Sequence, residues 1–209
     1  MTASIDHLVY ACPDLGPAVD RIAAQTGVRP AFGGQHPGLG THNALLSLGG
    51  RTYLEIIAPD PGQPPPAGPL PFGLDALTEP GLRAWAAAPG DLDAVVRESA
   101  AGGFDYGPIV DRSRRTADGH ELTWRMTTYP DSAQVAVTPF LIDWNGSPHP
   151  AAAAPAGLRL HEFRLRCPAP DRLAARLRAL GLDLNVDEAE LPGLSAVLVG
   201  PQGQRVVLD

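Results

Sequence analysis

The chain has 209 residues, 16 basic and 23 acidic, for a formal net charge of −7 and a pI of about 5.3. No basic stripe runs through it, so nucleic acid is not an expected partner. Every Lys or Arg position is arginine, which excludes Schiff-base lysine chemistry and a P-loop lysine. No stretch approaches about 18 consecutive apolar residues, so no membrane partner is expected. The start lacks the charged-then-apolar pattern of a secretory signal, and the two cysteines, Cys12 and Cys167, give neither a disulfide framework nor a metal knuckle. The expectation is a cytoplasmic globule.

In chain order the same pattern returns three times. A run at 4–12 suits a strand and ends at Pro13, which donates no ladder hydrogen bond. Asp14 can then cap a helix whose apolar face holds Ala18, Ile22 and Ala23, with Gly27 as its stop. Strand-like segments follow near 28–33, 42–48 and 52–58, the last two joined by Gly49 and Gly50. The stretch 59–71 reads as a stiff, polyproline-like linker.

The second copy runs from a strand at 81–88 through Pro89, the cap Asp91, an apolar face with Val95 and Val96, and the stop Gly102. Strands are expected near 107–112, 120–127 and 135–143, with turns at Asp118 and Gly119 and at Pro130 and Asp131. A Pro/Ala-rich linker at 148–156 precedes a third copy. It has a strand at 157–166, Pro168, the cap Asp171, a face of Leu173, Leu177 and Leu180, the stop Gly181, and strands near 183–187, 194–199 and 204–208.

The expected class is therefore α+β, built from βαβββ modules at 1–60, 81–147 and 157–209, with linkers at 61–80 and 148–156. Two such units can pair their bare sheet faces into a cup. The third then caps the pair or meets its twin across a dimer axis, and the odd count points to a possible homodimer.

The segments IDHLVYACPDL, GTHNAL and YLEIIAP, with TPFLIDW later, resemble the glyoxalase-like domain family of the vicinal oxygen chelate superfamily over about residues 4–150. What the resemblance implies is a cup that can hold one divalent metal ion, with a histidine on the first strand and a carboxylate on the fourth of each unit. His7 and Glu55 stand at those positions here. Strand parity sets each among apolar neighbours on one face, and a buried carboxylate needs a metal, a cation or strong hydrogen bonds.

The second unit departs from that pattern. Aligning the strand-ending prolines puts Arg83 opposite His7, and aligning TPFLID with TYLEII puts Leu141 opposite Glu55, with Asp143 two residues on. The expected metal set is His7, Glu55 and Asp143, with Glu55 doubling as a catalytic base. Arg83 is expected to pair with Glu55 or to hold a ligand anion. Tyr53, Trp85 and Trp124 are expected as stacking walls, and His42 and Asn43 as further substrate contacts.

His36 lies in a Gly-rich loop segment and reads as a mouth residue or a solvated one. Arg114, Arg115 and Arg125 read as surface charges. His161 and Glu162 form a second polar pair of undetermined facing, and Cys12 and Cys167 read as core residues. The functional readings are a metal-assisted lyase, isomerase or dioxygenase acting on a small oxygen-bearing molecule, or a metal-free protein that sequesters a small molecule. A third leaves the cup as mere core.

Overall fold

The computed structural model describes residues 2–116, 119–128 and 137–209. Asp118, the turn at Pro130 and Asp131, and the start of the strand expected near 135 lie outside the described residues. The elements are β1 (Ser4–Ala11), α1 (Leu15–Thr26), β2 (Ala31–His36), β3 (Thr41–Ser47) and β4 (Tyr53–Pro59). Next come β5 (Gly81–Ala88), α2 (Leu92–Ala101), β6 (Ile109–Arg115), β7 (Glu121–Thr127) and β8 (Phe140–Asp143). Last are β9 (Arg159–Cys167), α3 (Pro170–Ala179), β10 (Asn185–Glu188), β11 (Gly193–Val199) and β12 (Arg205–Leu208).

Local chemistry explains these limits. Asp14 accepts from the Gly16 amide at 3.0 Å, and Asp91 from the Ala94 amide at 2.9 Å, which satisfies free N–H groups at the starts of α1 and α2. Gly27 closes α1 in the left-handed region at φ 72°. The third cap differs from expectation: α3 starts with Pro170 after Ala169, no side chain caps it, and Asp171 sits inside its first turn. Leu15, Ala18, Val19 and Ile22 form the buried stripe of α1 at helical spacing.

The first eight strands close into a barrel in the order β1-β4-β3-β2-β6-β7-β8-β5, and the last four form a separate sheet in the order β10-β9-β11-β12. The chain is thus α+β with strands dominant. The β1–β5 junction carries a ladder from Ser4 to Ala11, whereas β2 and β6 are joined by one residue pair, Gln35 with Arg115.

Two cores result. Leu8, Tyr10, Leu54, Ile56 and Trp85 point out of the barrel and meet α1, α2, α3 and the buried face of the four-stranded sheet in one continuous apolar cluster. Val9, Tyr53, Ile57, Phe140 and Ile142 point into the barrel. Alternation along each strand separates the two sets.

The four-stranded sheet covers the outside of the barrel. Phe163 meets Trp85 edge-on at 5.3 Å, Ala3 donates to the Leu180 carbonyl at 2.7 Å, and Leu82 donates to the carbonyl of Asp209 at 2.7 Å. The odd number of units consequently supplies no argument of its own for a twin. On the outer face of that sheet His161 is exposed and Glu162 pairs with Arg164. Cys12 and Cys167 are buried in the core, and burial pushes the Cys12 thiol up to about 12. No helix among the described residues is long and apolar enough to cross a membrane.

Candidate functional site

The barrel encloses a cavity of about 700 Å³. Its floor is made by inward residues of β1, β3 and β4. On β1 a register shift between Ile5 and His7 leaves Asp6 as an extra residue, so that Asp6 and His7 are both buried and in contact. His7 Nδ1 lies 2.7 Å from Asp6 Oδ1. The other Asp6 oxygen accepts from Trp144 Nε1 at 3.1 Å and from His149 Nε2 at 3.0 Å. Burial alone would raise the Asp6 pKa, but the hydrogen bonds and charges of His149 and His7 outweigh it and hold the carboxyl at about 2.

An ionised Asp6 accepts from His7 Nδ1–H, and the other ring nitrogen, Nε2, lies 3.6 Å from Glu55 Oε2. Glu55 is itself oriented: its Oε1 accepts from Asn43 Nδ2 at 2.6 Å. The same amide reaches His36 Nε2 at 3.3 Å, while His36 Nδ1 donates to Thr41 Oγ1 at 2.9 Å. Burial pulls His36 down to about 4, against the attraction of Glu55, so its ring is neutral at pH 7. Asn43 Oδ1 has no hydrogen-bond partner among the described residues.

Several expected residues are where they were placed. His7, Tyr53, Glu55, Asn43, Trp124 and Arg83 all line the cavity. Tyr53 stacks on His7 with ring centroids 4.7 Å apart. Arg83 reaches the cavity because a second register shift, between Val9 and Tyr10, skips it in the β1–β5 ladder.

Three expectations are corrected. Trp85 points outward, is fully buried in the outer core, and donates from Nε1 to the Val137 carbonyl at 2.9 Å. His42 alternates with the inward Thr41 and Asn43 and so faces a different groove beside Asp60, at 3.7 Å. Asp143 follows the inward Ile142, leaves the barrel interior, and accepts from the Asn145 amide at 2.8 Å.

The metal set His7, Glu55 and Asp143 is therefore not assembled. Among the described residues no group of three or more His, Cys, Asp or Glu side chains stands where it would hold a metal ion. Asn43 Nδ2, a donor, occupies the Glu55 oxygen nearest His36. The donor set does not fit a divalent ion.

Other cavity residues escaped the sequence reading. Val110, Arg112 and Arg114 line the cavity from alternate positions of β6. Arg114, read as a surface charge, is only 5% exposed, and its Nη1 donates to the Gly33 carbonyl. Burial lowers its pKa, partly countered by Tyr53 and Glu55. The i, i+2 spacing of the two arginines was the available signal. Asp6 and His149, which stand behind His7 and do not line the cavity, had none, because a bulge and a loop bring them together. The proline-rich linker is also more than a spacer: Pro69, Leu70, Pro71 and Phe72 line the cavity, and Phe72 takes a left-handed φ of 59° with its ring 6.2 Å from Phe140.

A barrel of this order, with one polar floor inside it, defines the class, and comparison with known proteins gives the family. The glyoxalase-like domain model matches residues 5–181, and the chain belongs to that family. A hypothetical protein from Staphylococcus aureus shares the fold over 99% of each chain, with a TM-score of 0.68 and 11% identity. Methylmalonyl-CoA epimerase from Mycobacterium tuberculosis covers 66% of this chain and 84% of its own, with 21% identity and a TM-score of 0.42. A Streptomyces coelicolor methylmalonyl-CoA epimerase variant in complex with 2-nitronate-propionyl-CoA covers 70% and 98%, with 19% identity and a TM-score of 0.45. No curated protein matches the sequence.

Proposed function

We propose that this chain binds a small carbonyl-bearing molecule inside the barrel and moves a proton on it, an isomerase-type reaction with Glu55 as the base. The carrying observation is the line from Asp6 through His7 to Glu55, with Nε2 of His7 facing Glu55 Oε2 across 3.6 Å on the cavity floor. Asp6 fixes the imidazole tautomer and Asn43 fixes one carboxylate oxygen, so the reacting atoms are oriented before a ligand arrives. Glu55 takes a proton from a carbon next to the ligand carbonyl, and His7 shares and returns it. The rest of the notional unit plan, three βαβββ modules with boundaries near 60, 81, 147 and 157, supports this reading by making the barrel from the first two. A second reading, sequestration without reaction, draws on the apolar wall formed by Trp124, Trp144, Phe140 and Ile142.

The test starts with thermal-shift screening against small carbonyl compounds, followed by proton NMR of the hits in D2O. At least one hit is expected to exchange the hydrogen next to its carbonyl. Glu55→Gln is expected to slow that exchange by about 10²–10⁴-fold with the thermal shift kept. Hits that bind without exchange above the buffer rate would leave a binding protein. A stoichiometric divalent metal in protein purified without chelator, lost in both His7→Ala and Glu55→Gln, would overturn the metal-free scheme.

A further inference from the structure

Arg114 is a buried cation with no ion-pair partner among the described residues. Among those residues it makes one hydrogen bond, from Nη1 to the Gly33 carbonyl. Glu55 attracts it only at longer range. A guanidinium at 5% exposure without a counter-charge costs several kcal/mol unless something else supplies the anion. Its position on β6 aims it into the cavity, in line with Val110 and Arg112, and the Nε and Nη2 edge is left for a planar, two-oxygen partner.

The wall beside it, which begins with Trp124 on the neighbouring strand β7, is aromatic. Trp124 and Trp144 lie 5.4 Å apart, and Phe140 and Phe72 continue the surface. A buried guanidinium fork beside an apolar wall, with Arg83 and Arg112 also lining the cavity, suits an amphipathic anion. The start of none of the α-helices α1, α2 and α3 lines the cavity, and Glu55 stands close by. Both facts favour a singly charged carboxylate over a phosphate, which is usually met by helix N-termini and several donors. Taking the ligand-binding reading above as given, we propose that Arg114 is the anion receptor of the barrel, and that the ligand is a monocarboxylate whose ring-bearing remainder packs on the tryptophan wall.

Calorimetric titration with phenylacetate, its neutral isostere phenylacetamide, and phenyl phosphate tests this on the full chain. The wild type is expected to bind the acid at least about tenfold more tightly than the amide, the scale of a hydrogen bond to a charged group. Arg114→Gln and Arg114→Lys are expected to reduce that ratio to about threefold or less, since lysine keeps the charge without the fork. A purely structural Arg114 would lower thermal stability and leave the acid-to-amide ratio unmoved. Should Arg114→Gln fail to fold, the wild-type ratio and the Arg114→Lys variant still decide the matter.

Equal binding of acid and amide, no saturable binding of the acid, or a ratio that survives both variants overturns the proposal. So does tenfold tighter binding of phenyl phosphate. Glu55→Gln separates the two readings: with a nearby negative charge removed it should keep or raise the ratio while slowing the exchange. A wild type that prefers the acid but exchanges no deuterium defeats the proton-transfer scheme and leaves Arg114 as the receptor.

Discussion

The two halves of the barrel interior are built on one plan and filled with opposite chemistry. Ladder register relates them: His7 pairs with Tyr53 on β4 and faces Ala86 on β5, which in turn pairs with Phe140 on β8. Ala86 thus stands where His7 does, Phe140 where Tyr53 does, and Ile142 where Glu55 does. The first half holds the ionisable floor with its hydrogen-bonded supports. The second half supplies an apolar wall, with cations confined to β6 and the β5 bulge. One half can carry the reaction while the other sets the shape of what enters, and the apparent gap in the second half is a division of labour.

The largest expected effect tests which side of that wall matters. Trp85 belongs to the second half but is turned out of the interior, so Trp85→Ala should cost about 3–5 kcal/mol in denaturant unfolding through the void it leaves. Ligand affinity should be unchanged, whereas Trp124→Ala should weaken it. A Trp85 variant that loses binding at normal stability would reverse the assignment.

Next in size is acid sensitivity, which should arise in the first half, since strands β5 to β8 contain no histidine. His36 has its folded pKa lowered from 6.5 to about 4, mainly by burial, so the folded state favours the neutral ring. The unfolded chain binds the extra proton between those values. The contribution is full above about pH 6.5 and is lost as pH falls towards 4, a decrease of about 3 kcal/mol. Asp6, lowered from 3.8 to about 2, adds a separate loss between those two values. Urea unfolding from pH 7 to pH 4 should show the first slope in the wild type and a flatter one in His36→Gln. An unchanged slope would remove His36 as its source.

The smallest effect sharpens the comparison directly. Ile142→Glu writes a first-half residue into the second half without Asn43 or His7 beside it, and should destabilise the fold by about 1–3 kcal/mol at pH 7, recovering as the pH falls and the carboxyl is neutralised. Equal stability at pH 7 would mean that the wall tolerates charge, and that its apolar nature is not what limits the site to one half.

What was legible in the sequence followed from alternation. The polar interruptions His7 and Glu55 in apolar runs mark the floor because a strand shows every second residue to one side. The same rule, applied to β3, would have shown that His42 and Asn43 cannot both face inward. Bulges break the rule: the skipped residues Asp6 and Arg83 cannot be read from periodicity, and the prolines used for alignment set Arg83 rather than Ala86 against His7. Arg114 was hidden for another reason. Arginine on a strand usually faces water, and only the closing of the barrel turns that face of β6 inward. His149 reaches Asp6, and Phe72 the interior, by long-range packing of segments that look like linkers.

The single pair joining Gln35 to Arg115 has one more consequence. A Cβ on Gly34 would land on the carbonyl oxygen of Arg115, and one on Gly33 would land on the Asn43 amide. The cylinder is thus a curled ribbon fastened by one backbone button and the Arg114 bond to Gly33, and the bare backbone of Gly34 is the buttonhole. A methyl group on Gly34 would prise the edges apart and carry the arginines of β6 away from the acid on β4, so one residue without a side chain keeps the opposite charges of this pocket within reach of one guest.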